Sequence, residues 1–167
     1  EAKYMGIYIG YTTSFTGRHL VANNTVVSHN VPYSTFYGIY GYAYADIVFN
    51  SVYSNGNGYC AYFYAGNNYK LENNIFLSNH ATCYALYTQP SYHSLVDYNN
   101  YFNQTGGYFV YFATAYTDLT TLKAGNAANN KKSVSVLPAY LNTVPANGPF
   151  DLHLSSGVPS PTGDPSI

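Results

Sequence analysis

The 167-residue chain has no tryptophan, and charged residues make up only 8% of it. With a formal net charge of -1, it offers no basic surface for a nucleic-acid backbone or an anionic lipid layer, so neither is an expected partner. No apolar run approaches the roughly 18 residues that a membrane-spanning helix needs, and no membrane span is expected. The opening EAKYMGIYIG lacks both an initiator Met and a signal-peptide pattern, as in a mature product or a fragment. Cysteine occurs twice, too rarely for a disulfide framework. Arginine occurs once, at Arg18, and no two acidic residues are adjacent.

Tyrosine, in contrast, occurs 22 times, and Asn, Ser, Thr and Gly supply most of the polarity that Lys and Glu supply elsewhere. Such a composition is poor in helix formers and rich in aromatic and β-branched residues. It predicts an all-β protein that meets its surroundings through hydroxyl and amide groups.

The chain repeats itself. LVANNTVVS, DIVFNSVYS, KLENNIFLS and LVDYNNYFN align with Asn24, Asn50, Asn74 and Asn99 in one column. Three residues earlier stand Val21, Ile47, Leu71 and Val96, and two residues later Val26, Val52, Phe76 and Tyr101. A second strand precedes each segment, GIYIG, GIYGY, YFYAG and ALYTQ, and a fifth, FVYFA, follows the last. Its apolar column reads Ile7, Ile39, Phe63, Leu86 and Val110, each followed by a tyrosine: Tyr8, Tyr40, Tyr64, Tyr87 and Tyr111. The first coil is longer because YTTSFTGRH inserts extra residues, which solenoids place in loops.

A period of about 24 residues, with strands and no helices between them, predicts parallel strands stacked ~4.8 Å apart. Leucine-rich repeats share the period but need Leu at fixed positions, and an antiparallel sandwich would not require one Asn to recur at one offset. In a parallel stack, an Asn column at a bend can chain its amides from coil to coil. The expected fold is therefore a parallel β-helix, a β-solenoid of about five coils over residues 1–116. Residues 117–167 would form a short helix and an irregular C-terminal cap of the same domain. TDLTTLKAG is the predicted helix, with Thr117 or Asp118 as N-cap and Gly125 as its stop.

These columns, with the closing run VDYNNYF, TDLTTLKAG, KKSVSVLPAYLN and FDLHLSSGVPSP, resemble the pectate-lyase-like superfamily of right-handed parallel β-helices. The resemblance covers nearly the whole chain and implies a secreted or cell-surface protein. It does not select an activity, since that superfamily spans lyases, hydrolases, epimerases and adhesins. The chain begins inside a coil, so its first strands are expected to be covered by further sequence of a longer parent chain or by another molecule.

Lyases of this kind use carboxylates around Ca²⁺ with a Lys or Arg as base, and hydrolases use paired carboxylates. The residues that would serve are Glu72 and Asp97, two before the Asn column, with Lys70, which shares a column with Asp46 and has His93 nearby. They would project outward, with Ca²⁺ as the candidate cofactor; a surface ion pair beside a solvated acid is the plainer reading. The five histidines share no column, which argues against a metal cluster. His29, Asn55, Asn79 and Gln104 do share one, read as a solvent-facing turn.

The more specific signal is the tyrosine column Tyr8, Tyr40, Tyr64, Tyr87 and Tyr111, widened by Tyr42 and Tyr62. It would form an aromatic stripe for stacking on sugar rings or on a protein, or else a ladder that packs only against itself. Cys60 and Cys83, one coil apart, are expected to be vertical neighbours and candidates for a disulfide. Three functions are consistent with these features. One is a non-catalytic extracellular or cell-surface solenoid that assembles with copies of itself. The others are a module that binds polysaccharide through the stripe, and a fragment of a lyase or hydrolase.

Overall fold

The structure, a computed structural model, describes residues 4–10, 17–29, 35–42, 44–65, 68–143 and 151–154. The first coil consists of β1 (Tyr4–Ile9), β2 (His19–Ala22) and β3 (Thr25–His29), and the second of β4 (Phe36–Gly41), β5 (Ala45–Val48) and β6 (Ser51–Asn55). The third holds β7 (Gly58–Phe63), β8 (Tyr69–Glu72) and β9 (Ile75–Ser78). In the fourth, β10 (Leu86–Thr88) leads through a 3₁₀ turn, Pro90–Tyr92, into β11 (His93–Asp97) and β12 (Asn100–Asn103).

Strands of successive coils pair in parallel. Sheet A runs β1-β4-β7-β10 and gains β13 (Val110–Phe112) and the antiparallel β14 (Ala115–Tyr116). Sheet B contains β2, β5, β8 and β11, and sheet C contains β3, β6, β9 and β12. The protein is thus an all-β parallel solenoid. Sheets B and C hold four strands each, three coil-to-coil steps, and only sheet A reaches a fifth parallel strand. The solenoid is therefore shorter than the five coils expected, because after β13 the chain turns back on itself.

The bend between sheets B and C follows one local rule. The residue before each ladder asparagine, Asn23, Phe49, Asn73 or Tyr98, has φ between 54° and 58°. A left-handed residue redirects the chain within one step, at a cost that Asn tolerates better than Phe or Tyr. The asparagine that follows satisfies the polar groups freed there. Asn24, Asn50 and Asn74 each donate from Nδ2 to the Oδ1 of the next, at 2.9, 2.9 and 3.0 Å. The same Oδ1 atoms accept the backbone N–H of the asparagine one coil before. At the far end the Asn99 N–H donates to Ser133 Oγ, a hydroxyl in place of the next amide. Beside this ladder, Ser28 donates to Ser54 inside the wall, and Asn79 donates to Asn55 in the turn column predicted above.

Two of the expected inward columns stand as read: Val21, Ile47, Leu71 and Val96 in sheet B, and Val26, Val52, Phe76 and Tyr101 in sheet C. In sheet A the third coil is displaced by two residues. Ala61, not Phe63, lies between Ile39 and Leu86. Phe63 is buried opposite Gly41, where a Cβ would approach its ring to 2.6 Å. The level is set by the tyrosines on either side, Tyr59 pairing with Tyr37 and Tyr62 with Tyr40, while Cys60 and Ala61 fill the inward places held by Gly38 and Ile39 in the coil before.

The last coil is covered. Asp118 accepts the Thr121 N–H and caps α1 (Leu119–Gly125), whose Leu122 is fully buried in the central core. The segment after it lies along the sheet edges: Asn129 Oδ1 accepts from Val96, and the Val134 carbonyl accepts from Tyr101. Such cover blunts an edge that would otherwise pair with another chain. The hairpin β15 (Tyr140–Asn142) and β16 (Asp151–Leu154) places Leu152 on the outside of sheet C against Tyr53 and Leu77. Residues 11–16 of the first-coil insertion and the end of the closing stretch, 155–167, lie outside the described residues.

The ladder should dominate stability. Asn74→Ala orphans groups on both adjacent coils and is expected to cost about 3 kcal/mol or more, whereas Asn24→Ala, half-buried on the first coil, should cost about 1 kcal/mol. Equilibrium urea unfolding of the two variants measures the difference.

Candidate functional site

Sheet A carries tyrosines outward on every level. With the register in place, the central column is Tyr8, Tyr40, Tyr62, Tyr87 and Tyr111. Tyr62 occupies the level assigned from sequence to Tyr64. Its successive ring centroids lie 5.8, 5.5, 4.7 and 4.3 Å apart with interplanar angles of at most 28°. Rings lying side by side in the plane of a surface cannot approach so closely. They are stacked face to face, as offset aromatic pairs prefer.

A second column runs beside it and was not recognised in the sequence: Tyr37, Tyr59, Tyr84 and Tyr108, with centroids 5.6, 6.3 and 4.8 Å apart. Edge contacts tie the two columns, among them Tyr37 to Tyr40 at 5.1 Å and Tyr59 to Tyr62 at 5.3 Å. The signal was present as a tyrosine three residues before each member of the first column from the second coil on. Its odd offset becomes intelligible only with the two consecutive inward residues between them. On the other side Tyr42 and Tyr64 begin a third column, which stops because Gln89 holds the next level.

The array therefore presents something other than a flat aromatic stripe. Faces are spent on neighbouring rings, and Tyr40 is only 7% exposed although it points outward. Tyr59, Tyr62, Tyr84, Tyr87 and Tyr111 are half-buried. Full rings emerge at Tyr8, Tyr64 and Tyr108, 58%, 57% and 45% exposed. Burial, reinforced by neighbouring phenols and, at Tyr59, by Cys83, pushes the Tyr59 and Tyr62 hydroxyls up to about 12.

Beside Tyr64 the surface opens into a cleft of about 410 Å³ lined by Tyr62, Phe63, Tyr64, Tyr87, Gln89 and Tyr92, with Ala65 at its edge. No charged residue lines it among the described residues.

The carboxylate patch is built differently from its expectation. Glu72 and Asp97 do stack in one register, but Glu72 is 1% exposed and its Oε2 lies 2.6 Å from Lys70 Nζ. Asp97 is also buried, and its Oδ1 accepts the backbone N–H groups of Tyr98 and Lys132. Its side chain thus fastens the C-terminal segment to the solenoid. Asp46 is paired with Arg18. His93 lies inside, between Phe63 and Phe112, with Nε2 against the Thr88 hydroxyl; burial lowers its pKa to about 3 and keeps it neutral. Among the described residues, no three His, Cys, Asp or Glu side chains converge as metal ligands, and no helix is long and apolar enough to cross a membrane.

The expected pairing of Cys60 with Cys83 also fails on register. Cys83 lies at the level of Gly58, whose N–H points to its Sγ, while Cys60 donates to the Leu77 carbonyl. Both thiols are free and buried, and burial pushes both pKa values up.

Fold and face together define a tyrosine-laddered parallel β-solenoid. No known protein family, curated protein or solved structure matches the chain.

Two outcomes are expected. Because the folded-state values of Tyr59 and Tyr62 lie above the ordinary 10.0 of a free phenol, their contribution to stability is complete below that pH. It is lost as the pH climbs through about 12. Tyrosinate absorbance and circular dichroism should therefore change together in that window. Alkylation with iodoacetamide should leave both cysteines unmodified in the native protein and label both after denaturation, as read by intact mass.

Proposed function

We propose that the chain is a non-catalytic, extracellular or cell-surface solenoid of the right-handed, pectate-lyase-like kind, and that its tyrosine face serves adhesion and assembly with further copies. The observation that carries this reading is the continuous tyrosine array on a chain with 8% charged residues. A rigid, uncharged surface of ring edges and hydroxyls gains contact area with little loss of side-chain freedom on binding. It also lacks the charge that keeps ordinary surfaces apart. The lyase or hydrolase alternative would need carboxylates that are already engaged, Glu72 by Lys70 and Asp97 by the backbone of Tyr98 and Lys132. No Ca²⁺ is required for either role.

Sedimentation velocity and negative-stain microscopy test the proposal. The wild-type protein should associate as its concentration rises. Tyr8→Ser with Tyr108→Ser removes two protruding rings from opposite ends of the array and spares the stacked centre. At about 1.5–3 kcal/mol for each ring withdrawn from water, association should weaken by roughly tenfold or more while circular dichroism stays unchanged. A wild-type protein that stays monomeric throughout would end the assembly reading.

A further inference from the structure

The third tyrosine column is interrupted, and a cleft lies at the interruption. Tyr64 stacks on Tyr62 at 6.5 Å and 9° and contacts Tyr42 at 5.8 Å, but Gln89 holds the next level, where a further ring would continue the column. Tyr64 consequently stays 57% exposed in the middle of a face whose central rings cover each other. The cleft of about 410 Å³ lies at this gap, with Tyr92 of the 3₁₀ turn on its far side and Tyr87 and Phe63 among its lining. The volume falls in the range of small-molecule sites, about 300–1,000 Å³.

We propose that this cleft binds one uncharged pyranose ring of a neutral polysaccharide. A pyranose has one face of axial C–H groups and a rim of hydroxyls. The exposed Tyr64 ring suits the first by C–H contact. The Gln89 amide, which has no hydrogen-bond partner among the described residues, and the phenol groups of Tyr87 and Tyr92 suit the second. An amide both donates and accepts, as a sugar hydroxyl does, so one side chain can bridge two adjacent hydroxyls. The absence of any lysine or arginine in the lining selects against a uronate or sulfated sugar, whose charge would lose water without a partner. A bare aromatic hydrocarbon would leave the amide and phenol groups unpaired on binding. The site does not depend on the adhesive role of Tyr8 and Tyr108, and each can fail without the other.

The experiment titrates neutral hexose oligosaccharides of differing linkage, with a galacturonate oligomer as the charged counterpart, by calorimetry and by ¹H–¹³C NMR of the tyrosine rings. At least one neutral oligosaccharide should bind at or below about 1 mM, perturbing Tyr64 and Tyr92, with the charged oligomer at least tenfold weaker. Tyr64→Ala should weaken binding by tenfold or more. Gln89→Tyr completes the third column and covers the Tyr64 face, so it should abolish binding in a protein at least as resistant to urea as the wild type. This second variant keeps the test open even where Tyr64→Ala perturbs folding. No binding by any neutral oligosaccharide, tighter binding of the galacturonate oligomer, or binding unchanged in a folded Gln89→Tyr protein would each overturn the assignment.

Discussion

Everything in this molecule depends on the amide chain that begins at Asn24 and ends at Ser133. A turn through a left-handed residue leaves backbone groups that neither flanking sheet can pair. Without water inside the wall, each orphan would cost about 1–3 kcal/mol. Asparagine answers on both sides, donating to carbonyls such as Val48 and Val21 and accepting the N–H of its neighbour below. Because each Oδ1 takes two hydrogen bonds from the preceding coil, neighbouring coils cannot slide past one another. Sheet A, far from the bend along the chain, inherits that register, and only in register do its tyrosines stack.

Much of this was written plainly in the residues. The four ladder asparagines and their flanking apolar columns were legible because a parallel stack repeats each residue's environment at each level, so one residue type suffices. The extent of α1 was legible too: of the two N-cap candidates Thr117 and Asp118 the structure takes Asp118, and the helix ends at Gly125 with Asn126 as its C-cap. What escaped was the register of the third coil in sheet A. Tyr62 and Tyr64 compete for the same level, and in a strand of period two a slip of two residues keeps every side chain on its own face. Choosing between them requires knowing that Cys60 and Ala61 fill the two inward places that Gly38 and Ile39 take in the coil before and Ala85 and Leu86 in the coil after. The slip carried the cysteines with it, so a pairing that looked vertical was two residues out.

The charged residues repeat the lesson from the other side. Position in a repeat column says which residues are neighbours, not how deep they lie. Glu72 and Asp97 are neighbours as their columns required, yet both are internal, Asp97 under the backbone of Lys132 and Glu72 against Lys70. No periodic signal announces such a cover, because the segment that supplies it lies outside the repeat. With so few charges in the chain, using two carboxylates for fastening leaves little for anything else.

The phenol stacks also give the protein an optical identity. No tryptophan dilutes the signal, so its ultraviolet emission comes from tyrosine alone, and the rings lie close enough to pass excitation among themselves. Polarisation of that emission will therefore be scrambled by ring-to-ring transfer, even in a body that tumbles slowly. Parallel phenols held at fixed offsets will likewise couple their near-ultraviolet transitions, giving a dichroic band that belongs to the stack and not to any single residue. The molecule thus reports its own register: a slip of one level anywhere along sheet A would change its spectrum before it changed its shape.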